Sequence, residues 1–153
     1  MAFLAGQSLT ASLLNDATTT IESATDAVAG TTTSATYTDT LTSTGTHTLN
    51  FVAPASGKIV VTIACVAVNG TAGAYAAMSF RVSGAAGTQA ASDANQVYGQ
   101  GTGTNRPEVR TSVPTLVTGL TPGASGTITL QHKVTGGGTG TFNYRRIQIR
   151  YTN

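Results

Sequence analysis

The sequence contains very little charge. Asp, Glu, Lys and Arg make up only 9% of its 153 residues, against roughly 25% in an ordinary soluble domain. The formal net charge of +2 is too small for the electrostatic attraction that binds nucleic acid or an anionic membrane surface. A chain with so few charges is suited to packing against copies of itself and against partner proteins. We therefore expect an assembly component, with neither nucleic acid nor membrane as a partner.

Cysteine and long apolar runs are also scarce. The single Cys65 excludes an intrachain disulfide and a zinc site built from several cysteines. It lies in the apolar run 59–68, which predicts a buried, inert thiol. No stretch reaches the roughly 20 apolar residues of a membrane span. The first residues lack the basic and apolar regions of a signal peptide, so we expect synthesis in the cytoplasm.

No cluster of catalytic side chains is visible. Of the two histidines, His132 falls on the core face of a predicted strand, and His47 is expected to be exposed where another strand begins; no HxH or HExxH spacing occurs. The carboxylates are scattered: Asp16, Glu22, Asp26, Asp39, Asp93 and Glu108. An enzyme would need one of the histidines beside a carboxylate in a pocket. We predict no enzyme, no catalytic residue, no metal and no cofactor.

Two glycine-rich segments are predicted to be loops. Residues 99–103 and 136–140 lack the Gly-Lys-Ser/Thr that a phosphate-binding loop requires, and neither opens a helix. In a protein that binds a ligand, the loops at 84–103 and 136–140 would carry the binding surface.

Most of the chain alternates between apolar and polar residues with a period of two, which indicates β-strands. Predicted faces include Tyr37, Asp39 and Leu41; His47, Leu49 and Phe51; Ala76, Met78, Phe80 and Val82; and Ile128, Leu130, His132 and Val134. Residues 59–68 suit a central strand covered on both sides, Asn69-Gly70 a hairpin turn, and Pro114 an edge strand or bulge. In the last strand Phe142 and Tyr144 are predicted to share one face, and the other face carries Ile147, Ile149 and Tyr151. This change of face near Arg145-Arg146 predicts a bulge or a change of environment. About eight strands favour an all-β, antiparallel, jelly-roll-like β-sandwich.

The N-terminal region has a different pattern. Ser8 or Thr10 could cap a short helix that carries Leu9, Leu13 and Leu14 and ends near Asn15-Asp16. The following Thr/Ala/Ser-rich stretch is a poor independent helix. We therefore predict a helical or extended arm over residues 1–33 and a β-sandwich domain over residues 34–153.

Two groups of surface residues have more than one interpretation. Arg145, Arg146 and Arg150 cluster in the last strand, where they indicate either ion pairing at a subunit interface or a solvated sheet face. Four tyrosines could stack on sugars, although the absence of tryptophan makes this the weaker interpretation: Tyr75, Tyr98, Tyr144 and Tyr151.

Three segments resemble structural proteins of tailed-bacteriophage virions. Residues 5–15, AGQSLTASLLN, are similar to an opening common in such proteins. Residues 51–61, FVAPASGKIVV, resemble the strand-turn-strand of small phage virion sandwiches. The stretch from Leu120-Thr121-Pro122-Gly123 through residues 129–133 to Arg145-Arg146-Ile147 is similar to their C-terminal half.

The resemblance implies a non-enzymatic virion protein on the particle surface, most often trimeric, with its N-terminal arm docked on the major capsid protein. It favours a capsid decoration, head-fibre or minor capsid protein. The expected docking residues in the arm are Phe3, Leu4, Leu9, Leu13 and Leu14. The alternative is a minor tail or receptor-binding protein that contacts a glycan or a protein on the host surface.

Overall fold

We describe the protein from a computed structural model, which defines residues 20–22, 26–101 and 110–152. Within these ranges the chain forms nine β-strands and one short 3-10 helix at Asp93–Asn95. None of the helical structure defined there is long and apolar enough to cross a membrane. The strands are β1 (Thr20–Glu22), β2 (Gly30–Thr32), β3 (Thr48–Val52), β4 (Ile59–Asn69), β5 (Tyr75–Ser83), β6 (Val97–Gln100), β7 (Arg110–Val117), β8 (Ser125–Thr135) and β9 (Gly140–Tyr151).

The strands form two antiparallel sheets. The first has the order β1-β9-β4-β7, and β2 also pairs with β9. The second has the order β3-β8-β5-β6. Side chains from both sheets meet in one apolar core cluster, in which Ile63 and Ile147 belong to the first sheet and Phe80 and Leu130 to the second. The prediction of an all-β antiparallel sandwich is confirmed.

The core follows the predicted alternation. In β5 and β8 the inward side chains are fully or almost fully buried: Ala76, Met78, Phe80, Val82, Ile128, Leu130, His132 and Val134. The thiol of Cys65 is also buried. Strand β4 lies between β9 and β7, and it is buried without interruption from Ile63 to Asn69. Pro114 lies in β7, an edge strand, as its missing amide hydrogen requires.

A β-bulge interrupts β9. Ala64 in β4 faces Arg146, but Val66 faces Asn143, so Tyr144 and Arg145 together oppose Cys65. Tyr144 has φ +50°, a left-handed conformation that is uncommon for a residue with a side chain. The extra residue returns Ile147 and Ile149 to the core face that Phe142 already occupies. The predicted bulge is therefore confirmed, although Tyr144 is 47% exposed and does not share the buried face of Phe142.

The prediction of a hairpin at Asn69-Gly70 is wrong. Strands β4 and β5 belong to different sheets, so this connection crosses the sandwich. The buried Asn69 side chain donates to the carbonyl oxygens of Tyr75 (3.1 Å) and Gly137 (3.0 Å) and accepts from the Thr71 amide (2.9 Å). Asn69 thus joins the β4–β5 loop to the β8–β9 loop, whose glycines at 136–138 all have φ near +80°.

The prediction of a strand around Tyr37–Leu41 is also wrong. Residues 33–47 are extended but irregular, with single bridges such as that between Thr38 and His132. The alternation arises because Leu41 enters the core, while Tyr37 and Asp39 bind side chains on the outside of the second sheet. The first sheet in turn begins earlier than the predicted domain boundary, since β1 and β2 precede residue 34.

Candidate functional site

The five residues predicted to dock the arm lie outside the described residues. Phe3, Leu4, Leu9, Leu13 and Leu14 therefore stay predictions. The chain joins the first sheet at Thr20, which is opposite Arg150 in β9.

The structure separates the three clustered arginines. Arg145 is completely buried within the chain. Its guanidinium forms an ion pair with Asp26 and donates to the Thr44 hydroxyl (2.7 Å), and the Asp26 and Arg145 main chains exchange two hydrogen bonds of 3.1 Å. The bulge turns Arg145 inward, so it does not belong to a surface that another subunit could contact.

Arg146 and Arg150 lie on the outer face of the first sheet. Three cross-strand rows form this surface, which we call the arginine face: Leu116–Val60–Arg150, Pro114–Thr62–Gln148 and Ser112–Ala64–Arg146. The β7 side is partly apolar, with Leu116 58% exposed. The β9 side carries both guanidinium groups. A surface that combines apolar side chains with arginines suits contact with another protein.

All carboxylates among the described side chains already have basic partners. They form the pairs Asp26–Arg145, Asp39–Arg81 and Asp93–Lys133. Hydrogen bonds from Arg81 and Gln131 hold the pKa of Asp39 below its usual value. Bonds from Lys133 and Tyr37 do the same to the pKa of Asp93. These groups are held ionised, and the described residues contain no group of three potential metal ligands.

The histidines are also held in their neutral form. Burial, with the nearby charge of Arg145, lowers the pKa of His132 to about 3. Its ring packs edge-on against Phe142 at 4.8 Å, and neither ring nitrogen has a hydrogen-bond partner among the described residues. His132 is the core histidine that the sequence predicts. His47 is half-buried rather than exposed, and burial lowers its pKa as well.

A groove with two tyrosines lies on the outer face of the second sheet. Its volume is about 340 Å³, at the lower end of the range of small-molecule sites. The rings of Tyr75 and Tyr98 meet edge to face, with centroids 5.7 Å apart and planes at 79°. Both are exposed. We call it the tyrosine groove, and it is lined by Tyr75, Ala77, Asp93, Gln96, Tyr98, Lys133 and Thr135.

Strand register explains how these residues meet. Ala77 in β5 faces Tyr98 on one side and Lys133 on the other, and Tyr75 faces Thr135. The small Ala77 side chain leaves a depression between its larger neighbours. Asp93 and Gln96 reach the groove from the 3-10 helix and its C-cap.

A polar network supports one wall of the tyrosine groove. Lys133 pairs with Asp93 (2.6 Å) and lies over the ring of Tyr37, 4.8 Å from its centroid. The Tyr37 hydroxyl donates to Asp93 (2.8 Å) and contacts the side-chain amide oxygen Oε1 of Gln96 at 3.2 Å. Burial and the neighbouring Asp93 carboxylate raise the pKa of Tyr37, so its hydroxyl stays protonated and keeps donating.

A larger depression of about 570 Å³ lies beside β3. Its lining contains no charged side chain, and it includes the main chain at Gly84 and Gly126 as well as Tyr151. Its polar side chains include Asn50, Ser125 and Thr127, but the Thr127 hydroxyl already donates to the Asn50 amide oxygen (2.9 Å), and the lining has no pair of exposed aromatic rings. The smaller tyrosine groove is therefore the better candidate for a ligand site.

Part of this groove can be predicted from the sequence. Tyr75 and Tyr98 are candidate sugar-stacking residues, and residues 84–103, the candidate binding loop, supply Asp93, Gln96 and Tyr98. Tyr37 and Lys133 cannot be predicted, because no local spacing shows that these distant residues meet. The other two candidates, Tyr144 and Tyr151, lie in β9 of the first sheet. No protein-family model matches the chain, and no curated protein matches it either.

Proposed function

We propose that the protein is a non-enzymatic structural component of a tailed-bacteriophage virion, a trimeric capsid decoration protein that docks on the major capsid protein through its N-terminal arm. The observation that carries this proposal is the pairing order of the strands, together with the three sequence segments that resemble phage virion proteins. The internal pairing of the described carboxylates supports a role without catalysis.

The pairing order supports a jelly roll. If β1 and β2 are counted as one strand, the sandwich has eight strands, and they pair from the outside of the sequence inward. The combined β1/β2 strand pairs with β9, β3 pairs with β8, β4 with β7, and β5 with β6. This is one long antiparallel ribbon, folded so that its strands divide between two sheets. Viral capsid proteins and lectins use the jelly roll, and fold alone does not distinguish between their functions.

The arginine face supports self-association. Isologous or cyclic packing would cover Leu116, Val60 and Pro114, which the isolated chain leaves partly in water, at about 25 cal/mol per Å² of apolar area. The arginines at its β9 side would then lie at the rim of the contact, where charged groups are tolerated.

The test is to add the purified protein to particles that lack it and to image them by cryo-electron microscopy. We expect density over the capsid lattice in groups of three, with the N-terminal arm against the shell. A variant without residues 1–15 keeps every described element and should lose this density. Full occupancy by the truncated protein would contradict docking through the arm, and density on neither head nor tail would contradict the virion role.

A second function, that of a minor tail or receptor-binding protein, is favoured by the position of the tyrosine groove. Strand β4 runs from Ile59, opposite Tyr151, to Asn69, opposite Gly140. Thr20 is opposite Arg150 and so lies near the Ile59 end of the sandwich. Tyr75, whose carbonyl oxygen accepts from the Asn69 side chain, lies at the Asn69 end. At about 3.3 Å per residue, the 11 residues of β4 span roughly 33 Å. An arm docked at one end would leave the groove at the other, and density only at the tail tip would favour this function.

A further inference from the structure

We propose that the tyrosine groove is a binding site for a neutral saccharide of one or two rings. The proposal deepens the second function above by naming a ligand class, but it rests on the geometry of the groove and can be tested without a particle.

The aromatic side of the groove fits the apolar side of a sugar. A pyranose ring presents a face of C–H groups that packs against an aromatic ring. Tyr98 is 54% exposed and Tyr75 is 36% exposed, and their edge-to-face contact fixes one ring nearly perpendicular to the other. A sugar stacked on the face of one ring would therefore touch the edge of the other. Rigid aromatic side chains give such contact at low cost in conformational entropy.

The polar side fits the hydroxyl groups. An ammonium, a carboxylate, an amide and a hydroxyl converge from Lys133, Asp93, Gln96 and Thr135. The hydrogen bond from Tyr37 and the ion pair with Lys133 both use Oδ1 of the Asp93 carboxylate. No described residue bonds Oδ2, and the Asp93 side chain is 62% exposed. Oδ2 can accept from a sugar hydroxyl without breaking the network that positions it.

The charge and polarity of the groove favour a neutral sugar over an acidic ligand or a proline-rich peptide. The Asp93 and Lys133 charges cancel, so the groove offers no net charge to an acidic sugar or a nucleotide. A proline-rich peptide, the other common ligand of tyrosine-lined grooves, needs aromatic ridges with apolar slots between them. Here only Ala77 lies between the aromatic and polar walls, and four polar groups surround it. Hydroxyl groups pointing in several directions satisfy this lining better than an apolar pyrrolidine ring.

The test uses the full chain and nuclear magnetic resonance of its backbone amides. The probes are methyl glucoside, methyl galactoside, N-acetylglucosamine, maltose and lactose. We expect at least one probe to shift the amides of Ala77, Tyr98 and Lys133, with a dissociation constant of about 1 mM or tighter. Tyr98→Ala should weaken that binding by about tenfold or more. Tyr75→Ala should do the same and serves as the second variant if Tyr98→Ala does not fold.

The control is Tyr144→Asn. It removes an exposed tyrosine from the other sheet and places at φ +50° a residue that tolerates this conformation, so sugar binding should not change. The proposal is overturned if no probe shifts the groove amides at tens of millimolar, or if binding survives both groove substitutions. It is also overturned if a proline-rich peptide shifts these amides and the sugars do not. Particle decoration by the same variants reports on the virion role separately.

Discussion

At the scale of single residues, the buried Arg145 guanidinium is the most demanding group in the structure. Removing a charge from water costs several kcal/mol, and a partner must offset that cost. The partner is Asp26, whose side chain is 23% exposed. Burial alone would raise the pKa of Asp26, but bonds from Thr44 and the Val28 amide and the charge of Arg145 outweigh it and lower the pKa. The carboxylate therefore stays ionised beside Arg145.

Asp26→Ala should destabilise the protein by about 3 kcal/mol, because it leaves a buried charge without its counterion. Urea unfolding followed by circular dichroism measures this change. The matched control is Asp39→Ala: its partner Arg81 is 35% exposed, so the loss should be about 1 kcal/mol. Adding Arg145→Met to Asp26→Ala should recover much of the stability. If Asp26→Ala and Asp39→Ala lost the same amount of unfolding free energy, the burial of Arg145 would not explain the cost of removing its partner.

His132 should make the fold sensitive to mild acid. The folded protein keeps this ring neutral down to its pKa of about 3, whereas the unfolded chain takes up a proton near pH 6.5. The neutral His132 ring therefore makes its full contribution to the free energy of unfolding above pH 6.5. As the pH falls below this value, the free energy of unfolding decreases by at most about 1.4 kcal/mol per pH unit.

The measurement is the free energy of unfolding at pH 7.0 and pH 5.0, for the natural protein and for His132→Leu. Leucine has a similar size and leaves no buried nitrogen without a partner, so His132→Leu should flatten the pH dependence without a large loss at pH 7. His47→Asn is the control for the half-buried histidine. In this variant the free energy of unfolding should still decrease between pH 7.0 and pH 5.0 by most of the amount seen in the natural protein. If His132→Leu showed the same pH dependence as the natural protein, His132 would not be the group that makes the fold sensitive to acid.

At the scale of elements, the sandwich is closed at one edge by contact between main chains. Gly99 in β6 lies so close to β4 that a Cβ atom there would overlap the carbonyl oxygen of Ala67. The sequence predicted a glycine-rich loop from residue 99, but Gly99 and Gln100 belong to a strand. Glycine at 99 serves close approach of two strands rather than loop flexibility.

Gly99→Ala should therefore cost about 3 kcal/mol, because rigid main chain must move to admit one methyl group. Gly45→Ala is the control: a Cβ at Gly45 would meet nothing within 4 Å, and the melting temperature should barely change. Because Tyr98 precedes the displaced residue, Gly99→Ala should also shift the amide resonances of the tyrosine groove. A variant as stable as Gly45→Ala would rule out the close approach.

The success of sequence reasoning at this scale depended on the range of the interactions. Strand β8 was predictable because its buried residues occupy every second position of the sequence, from Ile128 to Val134. The irregular segment around Tyr37 was not, because its alternation comes from bonds to Asp93 and Arg81, far away in sequence. Asn69-Gly70 has the residues of a tight hairpin, yet the buried Asn69 amide holds two loops that cross between sheets. The tyrosine groove is likewise assembled from four separate segments.

At the scale of the whole molecule, part of the predicted N-terminal arm belongs to the first sheet. Residues 20–32 contribute β1, β2 and Asp26, all of which pair with β9. Deleting residues 1–15 should therefore leave the unfolding free energy nearly unchanged. Deleting residues 1–33 removes the partner of Arg145 and two strands from the first sheet. It should lower the melting temperature by many degrees or prevent folding, as differential scanning calorimetry would show.

The result that would contradict this assignment is equal stability of the two truncated proteins. The predicted arm of residues 1–33 would then be a separate unit, as its composition first suggested. Unequal stability would leave residues 1–19 as the segment available for docking.

The ribbon-like pairing of the strands also determines where the protein can carry an attached label. Thr20 and Arg150 are cross-strand neighbours, so a fluorescent protein fused behind Thr152 would lie near the first residue of β1. Residues 71–73, exposed in the β4–β5 loop, lie at the opposite end, beside the tyrosine groove. A short epitope inserted there would project away from a surface to which the N-terminus is attached. The fold thus offers two separately addressable ends, one for immobilisation and one for display.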